Sequence, residues 1–296
     1  MATPVIDAHH HIWRQADLQW LLGPMLPRIF GPYEPIRRDY PIAEYLADIA
    51  GTGVVKSVYV QANWAPANAE GEVAWVQKTA DETGWPHAIV GYADLLAGDV
   101  RPALDRLMRY PLLRGVRMQL HWHENPQYRF ARDAEVADDP VFRRNFAALA
   151  DTGLSFDLQV FDRQMDSAAR LAHDFPKTTF ILQHAGMLED LSDDGRARWR
   201  SQMTKLAAAP NVVSKLSALG TFIHRNDPEH IAWIVRETVA AFGADRCLYG
   251  SNFPIEKLWT DYPSLLAAYR AAAAQFSASE QAAMLHDTAA RVYKLS

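Results

Sequence analysis

Apolar and polar positions alternate along this chain with two different periods. Short β-branched runs with a period of two indicate strands, and longer segments with a period of about 3.6 residues indicate amphipathic helices. The predicted strands span residues 5–11, 56–61, 87–94, 115–121, 155–160, 178–184, 212–217 and 246–252. The predicted helices span residues 42–50, 70–82, 100–109, 140–152, 164–175, 197–209 and 229–242, and two more, 262–276 and 279–294, follow the last strand.

Boundary residues support several of these helices. Asp139 stands before Pro140, which is an N-cap followed by a first-turn proline, and Gly153 follows the same helix as a stop signal. Ser279 is predicted to cap the last helix loosely.

Eight strands that alternate with helices favour a (β/α)8 TIM barrel of the α/β class, whose usual size is about 250 residues. A doubly wound open sheet is the alternative, but no Gly-x-Gly-x-x-Gly motif follows the first strand. We predict a single domain over residues 1–296. Residues 14–40 and 123–139 form extended loops at the C-terminal mouth and are lid candidates, although such loops also cover barrels or contact a second subunit.

Composition narrows the class of partner. The chain has 49% hydrophobic and 22% charged residues and a formal net charge of −5, which provides no basic patch for nucleic acid or for an anionic membrane. We therefore expect a small-molecule substrate. One cysteine, Cys247, cannot form an internal disulfide, and no apolar run reaches the length of a membrane span, so we expect a cytoplasmic protein. The sequence leaves open whether the chain forms homo-oligomers.

Three consecutive histidines end the first predicted strand. Strand alternation predicts that Asp7, His9 and His11 share one face and that His10 points to the other. Imidazoles two residues apart suit one divalent metal or one anionic substrate group. A solvated terminus or a tag remnant is the alternative, but a tag does not continue a strand that begins Val-Ile-Asp. We therefore place these residues in an active site.

Polar residues also end the later strands. They are Arg117, Gln119 and His121 of the fourth, Asp157 and Gln159 of the fifth, His184 of the sixth, Lys215 and Ser217 of the seventh and Asn252 of the eighth. Taken singly, His184 fits a hydrogen-bonded core histidine, and Arg117 with Asp157 fits a buried ion pair. Their shared position after successive strands instead predicts a charged, wet barrel mouth.

These motifs together resemble the amidohydrolase superfamily. They are Asp7-Ala8-His9-His10-His11, Gln183-His184-Ala185-Gly186, Lys215-Leu216-Ser217 and Tyr249-Gly250-Ser251-Asn252-Phe253-Pro254. The match is to the amidohydrolase-2 group, which contains lactone hydrolases such as L-fuconolactonase and pyrone-dicarboxylate lactonase. The resemblance implies a distorted (β/α)8 barrel. It also implies that His9, His11 and His184 are catalytic and that Arg117 binds a substrate carboxylate or carbonyl.

The resemblance further implies one divalent metal, most often zinc, at His9, His11 and His184, although several members are thought to work without metal. The chain departs from the group's pattern at its eighth strand, where Asn252 replaces an aspartate that serves as a base. An amide has no basic site near neutral pH, so Asn252 can orient water or bind a carbonyl but cannot accept the proton.

Another group must then take the proton. A metal-bound water or a histidine of the mouth suits the task, because both titrate near neutral pH. The candidate histidines are His184, His121 and His123, followed by the carboxylates of Glu256 and Asp94. For Glu256 and Lys257, however, we expect a solvated loop pair.

The predicted activity is hydrolysis of a lactone by attack of water on the ester carbonyl. Arg117, Gln119, His121 and Gln159 are the predicted substrate-binding residues, and Asn252 joins the three histidines as a catalytic candidate. Decarboxylation of an aromatic acid and isomerisation of a lactone are alternatives within the superfamily. A non-catalytic small-molecule binder is the alternative outside it.

Overall fold

A computed structural model describes residues 3–295. Eight parallel strands form one sheet in sequential order, β1 to β8. They are β1 (Val5–His10), β2 (Val54–Val60), β3 (Ala88–Gly91), β4 (Leu113–Val116), β5 (Ser155–Leu158), β6 (Phe180–Leu182), β7 (Val212–Leu216) and β8 (Cys247–Tyr249). The predicted (β/α)8 barrel is therefore confirmed as a nearly closed barrel.

Helices connect the strands and cover the outside of the sheet. They are α1 (Gln19–Leu22), α2 (Ile42–Asp48), α3 (Ala69–Thr83), α4 (Arg101–Leu107), α5 (Pro140–Ala150), α6 (Met165–Asp174), α7 (Asp193–Ala207), α8 (Pro228–Phe242), α9 (Tyr262–Ala273), α10 (Ala278–Ala282) and α11 (Thr288–Val292), with a π-helical turn at Ala283–Asp287 before α11. Within residues 3–295, no helix is both long and apolar enough to cross a membrane.

Two helix ends show how the local sequence sets these boundaries. The predicted cap of α5 is confirmed, since the Asp139 side chain accepts hydrogen bonds from the backbone N–H groups of Val141 and Phe142. The predicted cap at Ser279 is wrong. Ser277 caps α10 in a full capping box with Glu280, because this pair has the spacing that satisfies two helix-end N–H groups at once.

The seam between the first and last strands closes the barrel through backbone hydrogen bonds just beyond β8. The Asn252 N–H donates to the His9 carbonyl at 2.7 Å, and the His11 N–H donates to the Phe253 carbonyl at 2.7 Å. The end of the first strand is therefore fixed directly against the segment that follows the eighth.

A buried carboxylate secures the same seam. Asp7 accepts hydrogen bonds from the backbone N–H groups of His9 and Ser251, from the Ser251 hydroxyl and from the hydroxyls of Tyr45 and Tyr262. Burial raises the pKa of Asp7, and these hydrogen bonds act against that rise. One side chain thus joins β1, the segment after β8, α2 and α9.

The predicted shared face of Asp7, His9 and His11 is wrong for Asp7. The register of β1 against β2 shifts between Asp7 and His10, which breaks the strict alternation. Asp7 therefore contacts the helix layer through Tyr45, whereas the ring of His9 lies beside His11 and His184. His10 stacks on Tyr45 at 3.9 Å between ring centres.

Small and branched side chains fill the barrel at the end opposite the mouth. The cluster contains Ile6, Ala8, Val58, Val60, Ala88, Val90, Ile181, Val213, Leu248, Ala289 and Tyr293. Above it, the Lys215 ammonium and the Asp157 carboxylate form a fully buried ion pair at 2.9 Å. The polar residues of the mouth therefore lie above an apolar cluster, and the Lys215–Asp157 ion pair lies between the two layers.

Candidate active site

One cavity opens at the C-terminal mouth of the barrel. Its lining combines basic, amide and aromatic side chains: His11, Trp13, Trp20, Arg28, Phe30, Asn63, Arg117, Gln119, Gln159, His184, Thr221, Phe222 and Asn252. The structure thus brings most of the predicted site residues to one place. Their catalytic and binding roles stay predictions.

His11 presents a single defined nitrogen to this cavity. Its Nδ1 lies 2.7 Å from the Val60 carbonyl oxygen, which can only accept, so Nδ1 carries the proton. Burial lowers the pKa of His11 to about 3, and the ring is neutral near neutral pH. The remaining nitrogen, Nε2, therefore holds a lone pair that can accept a proton.

His184 lies in a turn that follows β6 with left-handed backbone geometry, φ 56° at His184 and φ 47° at Ala185. The Trp199 indole of α7 donates to the Ala185 carbonyl at 2.9 Å and holds this turn. The Nδ1 atom of His184 lies 2.8 Å from the Ser217 hydroxyl of the segment after β7. Burial, followed by the charge of Arg117, lowers the pKa of His184 well below its ordinary value.

His9 lies beneath the other two imidazoles. Its ring centre is 4.8 Å from that of His184 and 5.0 Å from that of His11. The ring is fully buried, and neither nitrogen has a hydrogen-bond partner among the described residues. Burial and the nearby Lys215 charge lower the pKa of His9 well below its ordinary value, so this ring is also neutral.

Arg117 supplies a permanent positive charge at the base of the cavity. Its Nη2 donates to the Gln61 carbonyl at 2.5 Å and its Nη1 to the Gln159 amide oxygen at 3.3 Å. Burial lowers its pKa to about 10, which still leaves the guanidinium charged near neutral pH. The alternative in which Arg117 pairs with Asp157 is wrong, because Asp157 is bound to Lys215.

A buried carboxyl lies directly behind Asn252. Glu256 has no exposed surface and accepts hydrogen bonds from the Thr221 hydroxyl at 3.1 Å and the Trp259 indole at 2.9 Å. Burial raises its pKa to about 8, against the hydrogen bonds of Trp259, Thr221 and Asn252. The expected solvated pair with Lys257 is wrong, since the Lys257 ammonium binds Glu44 and Asp48 on α2.

Three candidates lie away from the cavity wall. His121 packs between Phe130 and Phe161, because β4 ends at Val116 and strand alternation does not extend to residue 121. His123 faces Glu189, with Nε2 and Oε1 3.1 Å apart. Asp94 lines a separate cavity.

Sequence reasoning did not single out several residues that line the cavity. Four of them, Trp13, Trp20, Arg28 and Phe30, come from the segment between β1 and α2, which includes α1. Thr221 and Phe222 come from the loop after β7. The aromatic content of residues 14–40 was the available signal for Trp20 and Phe30. Of the two predicted lid loops, only this one contributes to the cavity wall given above.

The imidazole set does not fit a metal site in its present arrangement. Across residues 3–295, no group of three or more His, Cys, Asp or Glu side chains is placed to hold a metal ion. The nearest buried cations, Lys215 and Arg117, both lower the pKa of His9 and also oppose a metal ion electrostatically. Asn252 supplies no compensating negative charge.

Comparisons with known proteins agree on one family. The family model described as Amidohydrolase (Amidohydro_2) matches residues 6–295. An uncharacterized protein of Sinorhizobium fredii, y4mH, is 39% identical over 98% of each chain. An L-fucono-1,5-lactonase of Burkholderia multivorans is 30% identical over 98% of this chain and 96% of its own.

Solved structures lead to the same family. The crystal structure of an amidohydrolase from Burkholderia multivorans with bound zinc superposes with a TM-score of 0.83 at 28% identity. The superposition covers 99% of this chain and 100% of that one. The likeness therefore extends over nearly the full length of both chains.

Proposed function

This chain belongs to the amidohydrolase family, and on that premise we propose that it is a lactonase that opens its substrate by attack of water on the ester carbonyl. One observation carries the proposal: a charged guanidinium, Arg117, lines the same cavity as two neutral imidazoles, His11 and His184. The similarity to an L-fucono-1,5-lactonase supports the same reaction class.

The protonation states of His11 and Arg117 support a different role for each in the proposed reaction. Neutral His11 has no N–H left for the cavity, so polarising the carbonyl falls to Arg117 rather than to His11. Water attacks the carbonyl carbon and its proton passes to Nε2 of His11, while Arg117 stabilises the oxyanion. The negative charge that develops there raises the pKa of His11 during the reaction.

Collapse of the tetrahedral intermediate breaks the ring C–O bond. The leaving oxygen receives the proton held by His11, and the product is an open-chain hydroxy acid. In this scheme the amides of Asn252, Gln119 and Gln159 orient the water and the substrate. His184 and the buried His9 keep the floor of the cavity polar and uncharged.

The test is an assay of the purified protein against a panel of sugar lactones and carboxylated lactones. We expect turnover by the wild type and a loss of about 100-fold in kcat for Arg117→Gln, the typical effect of removing one oxyanion donor. Arg117→Lys, which keeps a charge, separates this effect from misfolding. Arg236→Gln on the exposed side of α8 is the matched control.

No hydrolysis of any lactone would overturn the proposal. Release of CO2 from an aromatic acid in the same preparation would then assign the decarboxylase reaction instead. Because the donor set does not fit a metal, we expect activity to persist after dialysis against a chelator, with metal content measured in parallel. Loss of activity that zinc restores would contradict this expectation.

A further inference from the structure

The charge of the cavity lining opposes that of the whole chain. The chain carries a formal net charge of −5, yet the ionisable residues that line the cavity are His11, Arg28, Arg117 and His184. No carboxylate is among these lining residues. A cavity of this kind attracts an anion, because positive side chains and low-dielectric walls focus the field.

Arg28 differs from the other arginines of its loop. Arg14 pairs with Asp17, Arg38 pairs with Glu44, and Arg37 donates to the carbonyls of Leu21 and Gly23. Within residues 3–295, the Arg28 side chain has no carboxylate or carbonyl partner, and its Nε is buried without a hydrogen bond. Its guanidinium carbon lies 5.7 Å from the centre of the Trp20 ring.

The backbone around Arg28 is held on two sides. Gln127 of a neighbouring loop donates from its side-chain amide to the Arg28 carbonyl at 3.0 Å. The His224 ring lies 3.0 Å from the Ile29 carbonyl and packs against Gly31, whose φ is +72°. The guanidinium is therefore presented to the cavity by a fixed loop, which lowers the entropic cost of binding.

Arg28 and Arg117 then mark two different anion positions in one cavity. Arg117 lies at the barrel mouth, anchored to Gln61 and Gln159, where the proposed reaction develops an oxyanion. Arg28 comes from the loop above, beside the apolar rings of Trp20 and Phe30, which also line the cavity. A guanidinium with free N–H groups matches the planar geometry of a carboxylate.

We propose that Arg28 binds a carboxylate of the substrate, so that the enzyme acts on a carboxylated lactone in preference to an uncharged sugar lactone. This inference rests on the proposed lactonase function for the reaction but on the lining of the cavity for the anion. Trp20 and Phe30 provide apolar surface for the faces of a flat lactone ring.

Matched pairs of probes test the inference. The γ-lactone paraconate and the δ-lactone coumalate are each compared with the uncharged carboxamide, by calorimetric binding and by hydrolysis assay. We expect the wild type to prefer each acid and Arg28→Gln to weaken binding of the acids by about 10- to 100-fold, with little change for the amides. Arg28→Lys is expected to retain part of the preference.

Arg200→Gln is the matched control, since Arg200 also lies over an indole, 5.8 Å from the centre of the Trp233 ring, but on α7 outside the cavity. Equal binding of acid and amide by the wild type, no binding of either acid, or equal weakening of both by Arg28→Gln would overturn the inference. Acid-selective binding without hydrolysis of any lactone would instead remove the proposed function and leave the carboxylate site.

Discussion

The side chains of Asn252 and Glu256 form a hydrogen-bonded pair beside the cavity. The Asn252 side chain hydrogen-bonds the buried Glu256 carboxyl and lowers its pKa, and it also contacts His11. The backbone of Asn252 adopts φ 58°, a left-handed conformation that asparagine tolerates well. An amide can donate to a carboxylate, which a second carboxylate cannot do, so asparagine suits this position electrostatically.

This contact gives an expected outcome for Asn252→Asp. The new carboxyl would face Glu256, and two adjacent carboxyls cannot both ionise without a strong repulsion. We therefore expect lower kcat at neutral pH and a loss of stability that grows as pH rises, measured by pH-dependent kinetics and thermal unfolding. A large gain in kcat would show instead that an aspartate base fits the site and that the asparagine has weakened it.

Glu256→Gln has a definite pH signature. The folded-state pKa of about 8 lies above the ordinary value of 4.5, so the folded protein holds this proton more tightly than the unfolded chain. The wild type therefore loses stability as pH rises through that window, and the neutral variant lacks this loss. Chemical denaturation at about pH 5 and about pH 9 should show the variant gaining relative to the wild type at the higher pH.

A pH-independent difference between the two proteins would contradict the raised pKa. Glu72 has a pKa of about 7 and contributes a similar dependence to both proteins, so it cancels in the comparison.

The turn after β6 is the element that positions His184. Within this turn, the Trp199 indole donates a hydrogen bond to the Ala185 carbonyl. Gly186 has φ +70°, and a Cβ added there would lie only 2.2 Å from the Met165 side chain. These constraints come from α6 and α7, so two outer helices determine where a cavity imidazole lies.

Trp199→Phe tests that coupling. The variant removes the hydrogen bond to Ala185 while it keeps most of the apolar ring, and we expect a several-fold fall in kcat with a stability loss of about 1–3 kcal/mol. Trp233→Phe, in the neighbouring ring 5.7 Å away, is the control that loses packing without touching the turn. Equal effects of both variants on kcat would show that the turn does not depend on Trp199.

The helices and strands of the barrel could be predicted from the sequence in their order but not in their exact lengths. The order of strands and helices followed from periodicity, and several strands were predicted too long at their C-terminal ends. For β4, polar alternation continued through Gln119 and His121, but the ladder ends at Val116 and the chain turns into a loop. Periodicity records which side chains alternate, whereas strand ends depend on partners that are distant in sequence.

The hydrogen-bond and ion-pair partners of the buried polar side chains could not be predicted from the local sequence pattern. The Lys215–Asp157 pair and the interaction of Glu256 with Thr221 join residues 58 and 35 positions apart. Such contacts depend on how the strands of the barrel are aligned. Counting strands predicts a barrel but not the register between neighbouring strands. His9 and His11 were found because they lie together at the end of one strand.

Across the whole molecule, Asp7 reinforces the seam at which the barrel closes. Asp7→Ala would leave two backbone N–H groups and three hydroxyls without their acceptor, at a cost of at least about 3 kcal/mol in unfolding free energy. We expect the variant to unfold early in urea and to lose activity in parallel, since His9 and Asn252 share the seam. Asp7→Asn, which keeps one oxygen, should be milder.

The seam also determines at which point of protein synthesis the cavity can form. The His9 carbonyl accepts a hydrogen bond from the Asn252 N–H, so the first histidine of the cavity floor is fixed by a partner more than 240 residues later in the chain. On the ribosome, β1 must remain with an open edge until the eighth strand has left the exit tunnel. A nascent chain that stalls before Cys247 therefore carries its histidines but no site, and it exposes an apolar strand to chaperones.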